Sequence, residues 1–341
     1  MKYLRLSIAL LCLLTAFVSF TISEGDVAFS IPEGWPKPVY DFTKNPVTTA
    51  GFQLGRQLFY DPLLSRDTTI SCASCHLQAT GFAHVDHNLS HGIDGRIGRR
   101  NAPAIINMAW SSSFMWDGGV NHLDVQPLSP IGSPEEMDES MEHVVHKLNT
   151  QRKYRSMFFR AFGDSTATGQ KTLLALSQFV LMLNSYNSKY DKYLRKEPGG
   201  VFSDQELNGL ALFRKHCADC HTEPLFTNGA FANNGLPPDT ALLDFGRLRI
   251  TGNSADSLRF KIPTLRNIQF TYPYMHDGRF KKLSEVLKHY TEGIQQSPTL
   301  DKRLQTPVVL SPNEKIDLVA FMLTLTDREF LFDQRFGFPR E

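Results

Sequence analysis

Two short stretches decide how this chain folds: Cys72-Ala73-Ser74-Cys75-His76 and Cys217-Ala218-Asp219-Cys220-His221. Both match CxxCH, the signature at which c-type haem is attached through two cysteine sulfurs. The histidine that follows each cysteine pair supplies the proximal nitrogen to the haem iron. Because the chain must wrap each haem, the two motifs predict two haem-binding units.

Three other uses of these cysteines stay open at this point. Each pair could be a CxxC redox centre, all four thiols could bind one zinc ion, or they could form structural disulfides. The two motifs lie 145 residues apart, and a histidine follows directly after each one. This repeated histidine favours two covalently bound haems, because neither a disulfide nor a redox pair requires it.

The N-terminus has the layout of a secretory signal peptide. Lys2 and Arg5 precede an uncharged apolar run from 6 to 20, and small residues at 21 and 23 fit a cleavage site. We therefore predict a signal peptide over 1–23 and an exported, periplasmic mature protein, with an uncleaved membrane anchor as the alternative. The fifth cysteine, Cys12, lies inside this run, and the Leu11 before it does not fit a lipoprotein site.

The composition is that of a globular protein. The chain has 341 residues, of which 41% are hydrophobic, and its 36 Lys and Arg nearly balance its 35 Asp and Glu. This length suggests two domains, and the charge balance argues against nucleic acid or a polybasic membrane surface as a partner.

A weak internal repeat surrounds the two motifs. Phe114-Met115-Trp116-Asp117-Gly118 follows the first, and Tyr274-Met275-His276-Asp277-Gly278 follows the second. We therefore predict a mostly α-helical fold with two cytochrome c-like haem domains related by internal duplication, and long loops that wrap the haems. Glu197-Pro198-Gly199-Gly200 is a strong breaker, so the predicted domains are 24–197 and 198–341.

Three helices can be predicted from local patterns. Ser203 with Glu206, and Ser311 with Glu314, form capping boxes that begin helices, the second with proline at its first position. The apolar spacing from Gln170 to Leu194 predicts one long helix that ends at the breaker.

With these motifs in view, the chain resembles the bacterial dihaem cytochrome c peroxidase family, which includes the MauG-like enzymes. The resemblance covers about residues 45 to 327 and rests on LGRQLFYDPLLSRDTTISCASCH, GRRNAPAIIN, FMWDGG, CADCH, IPTLRN and PYMHDGRF. It implies that the N-terminal haem, on His76, reacts with peroxide. The C-terminal haem, on His221, would accept electrons from a donor protein.

The resemblance also assigns roles to individual residues. Trp116 matches the tryptophan that carries electrons between the haems, although a tryptophan in an apolar stretch can also simply pack. Glu136 matches the glutamate of the distal pocket, where a carboxylate can act as the base for peroxide. Its neighbour Glu135 is the competing carboxylate.

A calcium site between the domains is a further implication of the resemblance. Asn101, Thr271 and Pro273 match its ligands, one side-chain amide oxygen and two backbone carbonyls. Such hard oxygen ligands suit calcium.

The chain departs from ordinary dihaem peroxidases at the sixth ligand of the C-terminal haem. The position of the usual methionine holds Tyr290, as in MauG-like members, and Leu283, Leu287 and Tyr290 would share one helix face. His289 should point elsewhere, and Met275 is the competing methionine. We therefore expect Tyr290 to bind iron.

The second departure concerns the distal side of the N-terminal haem. The position of the histidine that blocks iron in resting peroxidases holds Ile93. Either this site is open at rest, or a loop shift brings His91 to iron, with His84 and His87 also nearby.

Three functions follow as hypotheses. The first is an exported dihaem peroxidase that reduces hydrogen peroxide with electrons from a small cytochrome or copper protein, and the family often forms homodimers. The second is a MauG-like enzyme that oxidises side chains of a partner protein. The third is a plain dihaem electron carrier, against which Glu136 argues because a carrier needs no distal acid.

Overall fold

The computed structural model describes residues 27–339, and these residues are mostly helical, as predicted. The predicted signal peptide over 1–23 and Cys12 lie outside the described residues. Between residues 27 and 339, none of the helices combines the length and the apolar character that crossing a membrane would require.

The first hydrophobic core is built by the helices that surround the first CxxCH motif. These are α1 (Thr49–Tyr60), α2 (Cys72–Cys75), α3 (Leu128–Gly132), α4 (Met141–Thr150), α5 (Arg152–Phe162) and α6 (Gly169–Leu181). Helices α1 and α6 pack against each other at Gly55, where a Cβ atom would lie 1.9 Å from the Ala175 carbonyl oxygen. Only glycine permits this close approach of the two backbones.

The second core repeats this arrangement around the second motif. Its helices are α7 (Lys189–Arg195), α8 (Asp204–His216), α10 (Leu283–Lys288) and α11 (Pro312–Leu323). The short α9 (Leu248–Thr251) lies in the connection before α10, and α12 (Arg328–Leu331) returns to the first core. Helices α8 and α11 cross at Gly209, where a Cβ atom would lie 2.0 Å from the Asp317 carbonyl oxygen. In both cores, therefore, the helix that leads into CxxCH is held against its partner through a glycine.

Shorter elements connect these helices. A two-stranded antiparallel sheet pairs β1 (Phe231–Ala232) with β2 (Phe260–Lys261), and a π-helix (His289–Gly293) directly follows α10. Single 3-10 turns occur at Pro62–Leu64, Gln78–Thr80, Ile93–Gly95, Met108–Trp110, Leu123–Val125, Ser254–Asp256 and Lys302–Leu304. Long loops therefore follow each CxxCH motif.

The predicted capping boxes are confirmed, but the single helix from 170 to 194 is wrong. Ser203 and Ser311 cap α8 and α11, with Pro312 at the first position of α11. The long helix is interrupted between α6 and α7, because the Asp327 carboxylate accepts hydrogen bonds from the backbone N–H groups of Tyr186 (3.0 Å) and Asn187 (2.8 Å). This buried carboxylate comes from a distant part of the chain and holds these residues in a non-helical conformation.

The two cores exchange some residues across the predicted domain boundary. Tyr190, from before the boundary, packs in the second core, whereas Phe330 and Phe336 near the C-terminus pack in the first. The boundary at 197–198 stays a prediction.

The backbone around the two repeated aromatic-Met motifs has the same local form. The Phe114 N–H donates to the Val120 carbonyl at 2.7 Å, and the Tyr274 N–H donates to the Phe280 carbonyl at 2.6 Å. The following residue, Met115 or Met275, has a positive φ in both cases (68° and 76°). Each motif therefore closes the same tight loop beside its own core.

Candidate functional site

The first CxxCH motif lies on the one-turn helix α2, between helix α1 and the loop that follows. Cys72 and Cys75 are both free thiols, and burial raises the pKa of Cys72 to about 12. Such buried thiols are protonated at neutral pH and unreactive by themselves. Their side chains are therefore available for thioether bonds but not poised for redox exchange.

The geometry of His76 fits a proximal iron ligand. Its Nδ1 lies 2.8 Å from the carbonyl oxygen of Phe82, and since a carbonyl can only accept, Nδ1 carries the proton. Burial lowers the pKa of His76 to about 4, so the ring is neutral. Nε2 is then the lone-pair nitrogen, in the orientation that a metal-ligating histidine requires.

The second motif repeats this geometry. His221 Nδ1 lies 3.2 Å from the Phe226 carbonyl oxygen and 3.1 Å from that of Pro263, and burial lowers the pKa of His221 to about 4. Phe226 and Phe82 both have a positive φ, of 55° and 56°. The chain thus turns in the same way to bring a carbonyl to each histidine.

The donor groups of both motifs fit covalently bound haem better than the alternatives. Cys217 and Cys220 are also free thiols. Within 27–339, the structure brings together no group of three or more His, Cys, Asp or Glu side chains that could hold a metal ion, so the four cysteines do not form one zinc site. Each motif instead offers two thiols and one neutral imidazole with a free Nε2.

Glu136 lies close to the first motif. Its carboxylate is near enough to Cys72 and Cys75 to raise the pKa of both thiols. Burial, and secondarily the charge of Glu135, raise the pKa of Glu136 itself. The structure therefore places a partly desolvated carboxyl group beside the first haem-attachment site.

Ile93 lies next to Glu136. The Ile93 N–H donates to the Glu136 carbonyl oxygen at 2.9 Å, and the Ile93 side chain is buried. His91 packs instead on His87, with ring centroids 4.1 Å apart, and His87 Nδ1 lies 3.4 Å from His84 Nε2. The three histidines form a cluster of their own.

Trp116 lies where the two haem units meet. Its indole Nε1 donates to the Asn101 carbonyl at 2.9 Å, and its own carbonyl accepts from the Lys261 N–H at 2.7 Å. The Asn101 N–H in turn donates to the His276 carbonyl at 2.7 Å. Trp116 is therefore fixed to both halves of the molecule.

The predicted calcium ligands lie close to this junction. Asn101 is buried and donates through Nδ2 to the Asn88 carbonyl at 3.0 Å. Thr271 packs against the first unit, where a Cβ atom added at Gly81 would lie 3.0 Å from the Thr271 methyl group. Pro273 is buried on the same segment, three residues before the His276 that holds Asn101.

Tyr290 lies on the π-helix rather than on a continuous α-helix. Burial raises its pKa to about 12, to which the nearby Cys217 and Cys220 contribute, while a hydrogen bond with the Asn234 side chain opposes the increase. Since α10 ends at Lys288, the prediction that Leu283, Leu287 and Tyr290 lie on one α-helix is wrong for Tyr290. The tyrosine nevertheless lies near the second pair of thiols, and π-turns are frequent at functional sites.

The two competitors of Tyr290 have other partners. His289 is buried, and its Nε2 lies 3.0 Å from the Asn234 carbonyl oxygen. Met275 Sδ accepts a hydrogen bond from Asn234 Nδ2 at 3.5 Å.

Comparisons with known proteins agree on one family. A family model described as di-haem cytochrome c peroxidase matches residues 49–199. The methylamine utilization protein MauG of Methylorubrum extorquens is 35% identical over 308 residues, which cover 87% of this chain and 83% of that protein.

The chain belongs to the di-haem cytochrome c peroxidase family.

Other members of this family are also similar over most of their length. The cytochrome c551 peroxidase of Nitrosomonas europaea is 34% identical, with 80% of this chain and 79% of that protein covered. A crystal structure of a MauG-like protein associated with microbial copper homeostasis superposes with a TM-score of 0.82 at 31% identity, covering 92% of this chain and 99% of the other. The predicted family, the di-haem peroxidase function and the enzyme class are thereby confirmed.

Three residues of this di-haem peroxidase were missed by the sequence analysis. Lys261 is half-buried between the units with a pKa lowered to about 8 by desolvation, and its Nζ donates to the Ser113 carbonyl at 2.5 Å. Arg100 of the first unit forms ion pairs with Asp117 and with Asp244. Asn234 donates through Nδ2 to Met275 Sδ at 3.5 Å. A single asparagine in a turn carries no motif, whereas Arg100 lies within the quoted GRRNAPAIIN and could have been examined.

Proposed function

We propose that this di-haem peroxidase reduces hydrogen peroxide to two waters in the periplasm, at a c-type haem bound to Cys72, Cys75 and His76. Haem iron supplies the redox chemistry when it is bound there. The observation that carries the proposal is Glu136, a carboxyl group with a raised pKa beside these two thiols. A plain electron carrier would have no use for it.

Glu136 acts as the proton-transfer group. Its carboxylate takes the proton from the peroxide oxygen that would face the iron. It returns a proton to the other, leaving oxygen as the O–O bond breaks. Two electrons and two protons balance the conversion of one peroxide into two waters. Burial suits the carboxyl for this exchange, because its raised pKa lies closer to neutral pH than that of an exposed glutamate.

The distal position of this site carries no side-chain ligand in our proposal. Ile93 occupies the segment beside Glu136 and offers only a hydrocarbon side chain. Moving His91 there would separate it from His87, on which its ring is stacked. We therefore favour a site that binds peroxide without prior reductive activation.

Cys217, Cys220, His221 and Tyr290 would hold the second haem, which would supply the entry point for electrons. Trp116 carries them to the first haem, since its backbone and indole are fixed to residues of both halves. The donor is a small cytochrome c or copper protein. The chain is exported with its signal peptide removed, and it assembles as a homodimer.

Calcium stabilises the junction at which Trp116 lies. Its ligands are Asn101 Oδ1 and the backbone carbonyls of Thr271 and Pro273, a set of hard oxygens. Asn101 also accepts the Trp116 indole N–H through its own carbonyl, so the ion would orient the relay tryptophan. The two haem domains, 24–197 and 198–341, derive from an internal duplication, which the matching loops at Met115 and Met275 support.

A MauG-like reaction, oxidation of side chains in a partner protein, is the second candidate. It is favoured by Tyr290 near the second thiol pair and by the similarity to MauG of Methylorubrum extorquens. In this case the partner protein, rather than a donor cytochrome, would supply the electrons.

The experiment that tests these functions is the optical and EPR spectrum of the resting holoprotein, before and after one equivalent of peroxide. An open site predicts one high-spin haem that peroxide oxidises directly, beside one low-spin haem. Two low-spin haems that react only after half-reduction would contradict the open site and point to His91 as a ligand. Turnover with a reduced small cytochrome distinguishes peroxidase activity from oxidation of a partner protein.

A further inference from the structure

The Arg100 guanidinium joins a carboxylate of each haem unit. Its Nε donates to Asp244 Oδ2 at 2.6 Å and its Nη2 donates to Asp244 Oδ1 at 2.8 Å, so this ion pair is bidentate. Its Nη1 donates to Asp117 Oδ2 at 2.5 Å. Asp244 follows the second CxxCH motif and is buried, whereas Asp117 follows the first motif and is half-buried. One side chain therefore spans the junction between the units.

Both ends of the Arg100–Asp117 ion pair are sequence neighbours of the groups that hold the Trp116 indole. Arg100 directly precedes Asn101, whose carbonyl accepts the indole N–H at 2.9 Å. Asp117 directly follows Trp116. The ion pair and the indole hydrogen bond therefore connect the same two segments, one residue apart. Because the two contacts lie side by side, a change in the ion pair changes the angle at which the indole meets its acceptor.

The second unit also holds the backbone of Asp117. Arg247 Nη1 donates to the Asp117 carbonyl at 3.0 Å, and the Arg247 guanidinium lies 4.2 Å from the centroid of the Phe231 ring. A Cβ atom at Gly118 would lie 2.3 Å from Phe231 Cζ and 2.7 Å from Arg247 Nη1. Gly118 also has a φ of 72°, so glycine permits both the turn and this close contact. Trp116 therefore precedes a turn that the second unit fixes tightly.

We propose that Arg100 is a positioning residue that sets the orientation of Trp116 relative to the second unit. The Asp244 carboxylate holds the Arg100 guanidinium, and the guanidinium in turn holds the segment that carries Trp116. This inference rests on the proposed function, in which Trp116 carries electrons between the haems. It assigns to one residue of each unit an effect on that electron transfer.

Arginine suits this role because of its geometry rather than its charge. The planar guanidinium presents its donors in a fixed fork, and Arg100 uses all three of its nitrogens on two carboxylates. A lysine ammonium is a point charge on a flexible stem and does not reproduce a bidentate contact. Arg100→Lys therefore keeps the positive charge and removes the fixed geometry, which separates an electrostatic effect from a positioning effect.

The test measures electron transfer between the haems in the Arg100→Lys holoprotein, with both haems attached and calcium in excess. We expect the rate of this transfer to fall at least about tenfold, because a small misplacement of a participating group is costly. The rate of reaction with peroxide and the reduction potentials of both haems should not change. Asp244→Asn keeps the shape of the acceptor and removes its charge, so it should also slow the transfer.

Hydrogen–deuterium exchange gives a readout that does not depend on activity. The Lys261 N–H donates to the Trp116 carbonyl at 2.7 Å, so its exchange reports whether that segment is held against the second unit. This exchange should be faster in Arg100→Lys. Arg195→Lys is the matched control, because Arg195 forms a bidentate ion pair with Glu197, at 2.7 and 2.9 Å, within its own segment. It should leave both the exchange and the electron transfer at wild-type values.

A double-variant cycle with Trp116→Phe decides whether Arg100 acts through the tryptophan. If it does, adding Arg100→Lys to Trp116→Phe slows the transfer no further. Additive losses would overturn the proposal, and so would wild-type transfer in both Arg100→Lys and Asp244→Asn. If Arg100→Lys does not fold, the same cycle is made with Asp244→Asn.

Failure of the proposed relay has a different signature. If Trp116→Phe leaves the transfer rate unchanged, Trp116 is not the relay, and the role of Arg100 is wrong together with that assignment. If Trp116→Phe slows the transfer but Arg100→Lys does not, the relay is right and only the role of Arg100 is wrong.

Discussion

The two CxxCH motifs hold their histidines in the same way but have different neighbouring side chains. His76 and His221 are both neutral imidazoles whose Nδ1 faces a backbone carbonyl. Beside the first pair of thiols lie the Glu136 carboxyl and Ile93, whereas Tyr290 lies near the second pair. In the proposed function, the shared histidines serve haem attachment, and the different neighbours decide what each haem would bind.

The same contrast extends to the two repeated methionines. Each accepts a weak hydrogen bond from a side-chain amide: Met115 from Gln126 at 3.6 Å and Met275 from Asn234 at 3.5 Å. The second unit also has a tyrosine near its pair of thiols, Tyr290 beside Cys217 and Cys220. In the proposed function this tyrosine closes the second site, whereas the first site stays open for peroxide.

The largest expected effect is confined to the first site. Glu136→Gln removes the proton-transfer group while preserving its shape, and we expect the rate of reaction with peroxide to fall by about 10²- to 10⁴-fold. The absorption of the second haem should not change. Stopped-flow spectroscopy of the holoprotein measures both.

Glu135→Gln is the control for this substitution, since it removes the neighbouring charge and leaves Glu136 in place. If it slows the reaction as much as Glu136→Gln does, the assignment of Glu136 is wrong. The pH profile gives a second check: because the pKa of Glu136 is raised, the base is protonated at a higher pH than an ordinary glutamate. The rate should therefore fall as the pH is lowered through that value, and Glu136→Gln should lose this acidic limb.

The next effect is confined to the second site. Tyr290→Phe removes the phenolic oxygen, so the tyrosinate-to-iron absorption should disappear completely while peroxide still reaches the first haem. Optical and EPR spectra of the resting protein detect the change. If Tyr290→Phe alters the first haem and leaves the second unchanged, the division of roles between the sites is reversed.

How far the sequence predicts these sites depends on how local their determinants are. The two CxxCH motifs and the capping boxes at Ser203 and Ser311 are contiguous patterns that can be read directly. The structure confirms that both capping boxes begin helices. The break after α6 depends on Asp327, which no local pattern connects to Tyr186. It is therefore invisible to helix periodicity.

The candidate site shows the same limit. Glu136 and Tyr290 can be predicted from the number of residues that separate them from a motif. Counting residues does not show whether the helix that contains Tyr290 is an α-helix or a π-helix. Asn234 contacts Met275, and Lys261 contacts Ser113 of the first unit, through distances that exist only in the folded protein. Residues of this kind have no sequence signature of their own.

A stability comparison tests whether the helix crossings at Gly55 and Gly209 are equivalent in the two units. In Gly55→Ala and Gly209→Ala, the added methyl group would meet a backbone carbonyl at 1.9 Å and 2.0 Å. The resulting overpacking costs about 1–3 kcal/mol and exceeds the gain in helix propensity, which is at most about 1 kcal/mol. Chemical denaturation should therefore show a similar loss in the free energy of unfolding for both variants.

Gly132→Ala is the control for these two glycines, because nothing lies within 4 Å of its added Cβ atom. It should leave stability unchanged or slightly increased. A large loss for only one of Gly55→Ala and Gly209→Ala would mean that the two helix crossings are not equivalent.

The smallest expected effect is on stability. It compares the N-terminal caps of α1 and α8, the helices that lead into the two CxxCH motifs. Thr48 and Ser203 accept from Gly51 and Glu206 backbone N–H groups, and replacement of such a cap by alanine costs about 1 kcal/mol. Thr48 also donates through its hydroxyl to the buried Gln178 Oε1 at 3.3 Å, whereas Ser203 is exposed.

We therefore expect Thr48→Ala to lower the free energy of unfolding more than Ser203→Ala, because it weakens the satisfaction of a buried amide as well as removing a cap. Denaturant unfolding of both variants measures the difference, with the exposed Ser112→Ala expected within about 0.5 kcal/mol of the wild type. Equal losses in the free energy of unfolding would show that Thr48 only caps its helix. Its hydrogen bond to Gln178 would then contribute nothing measurable to the stability of the first unit.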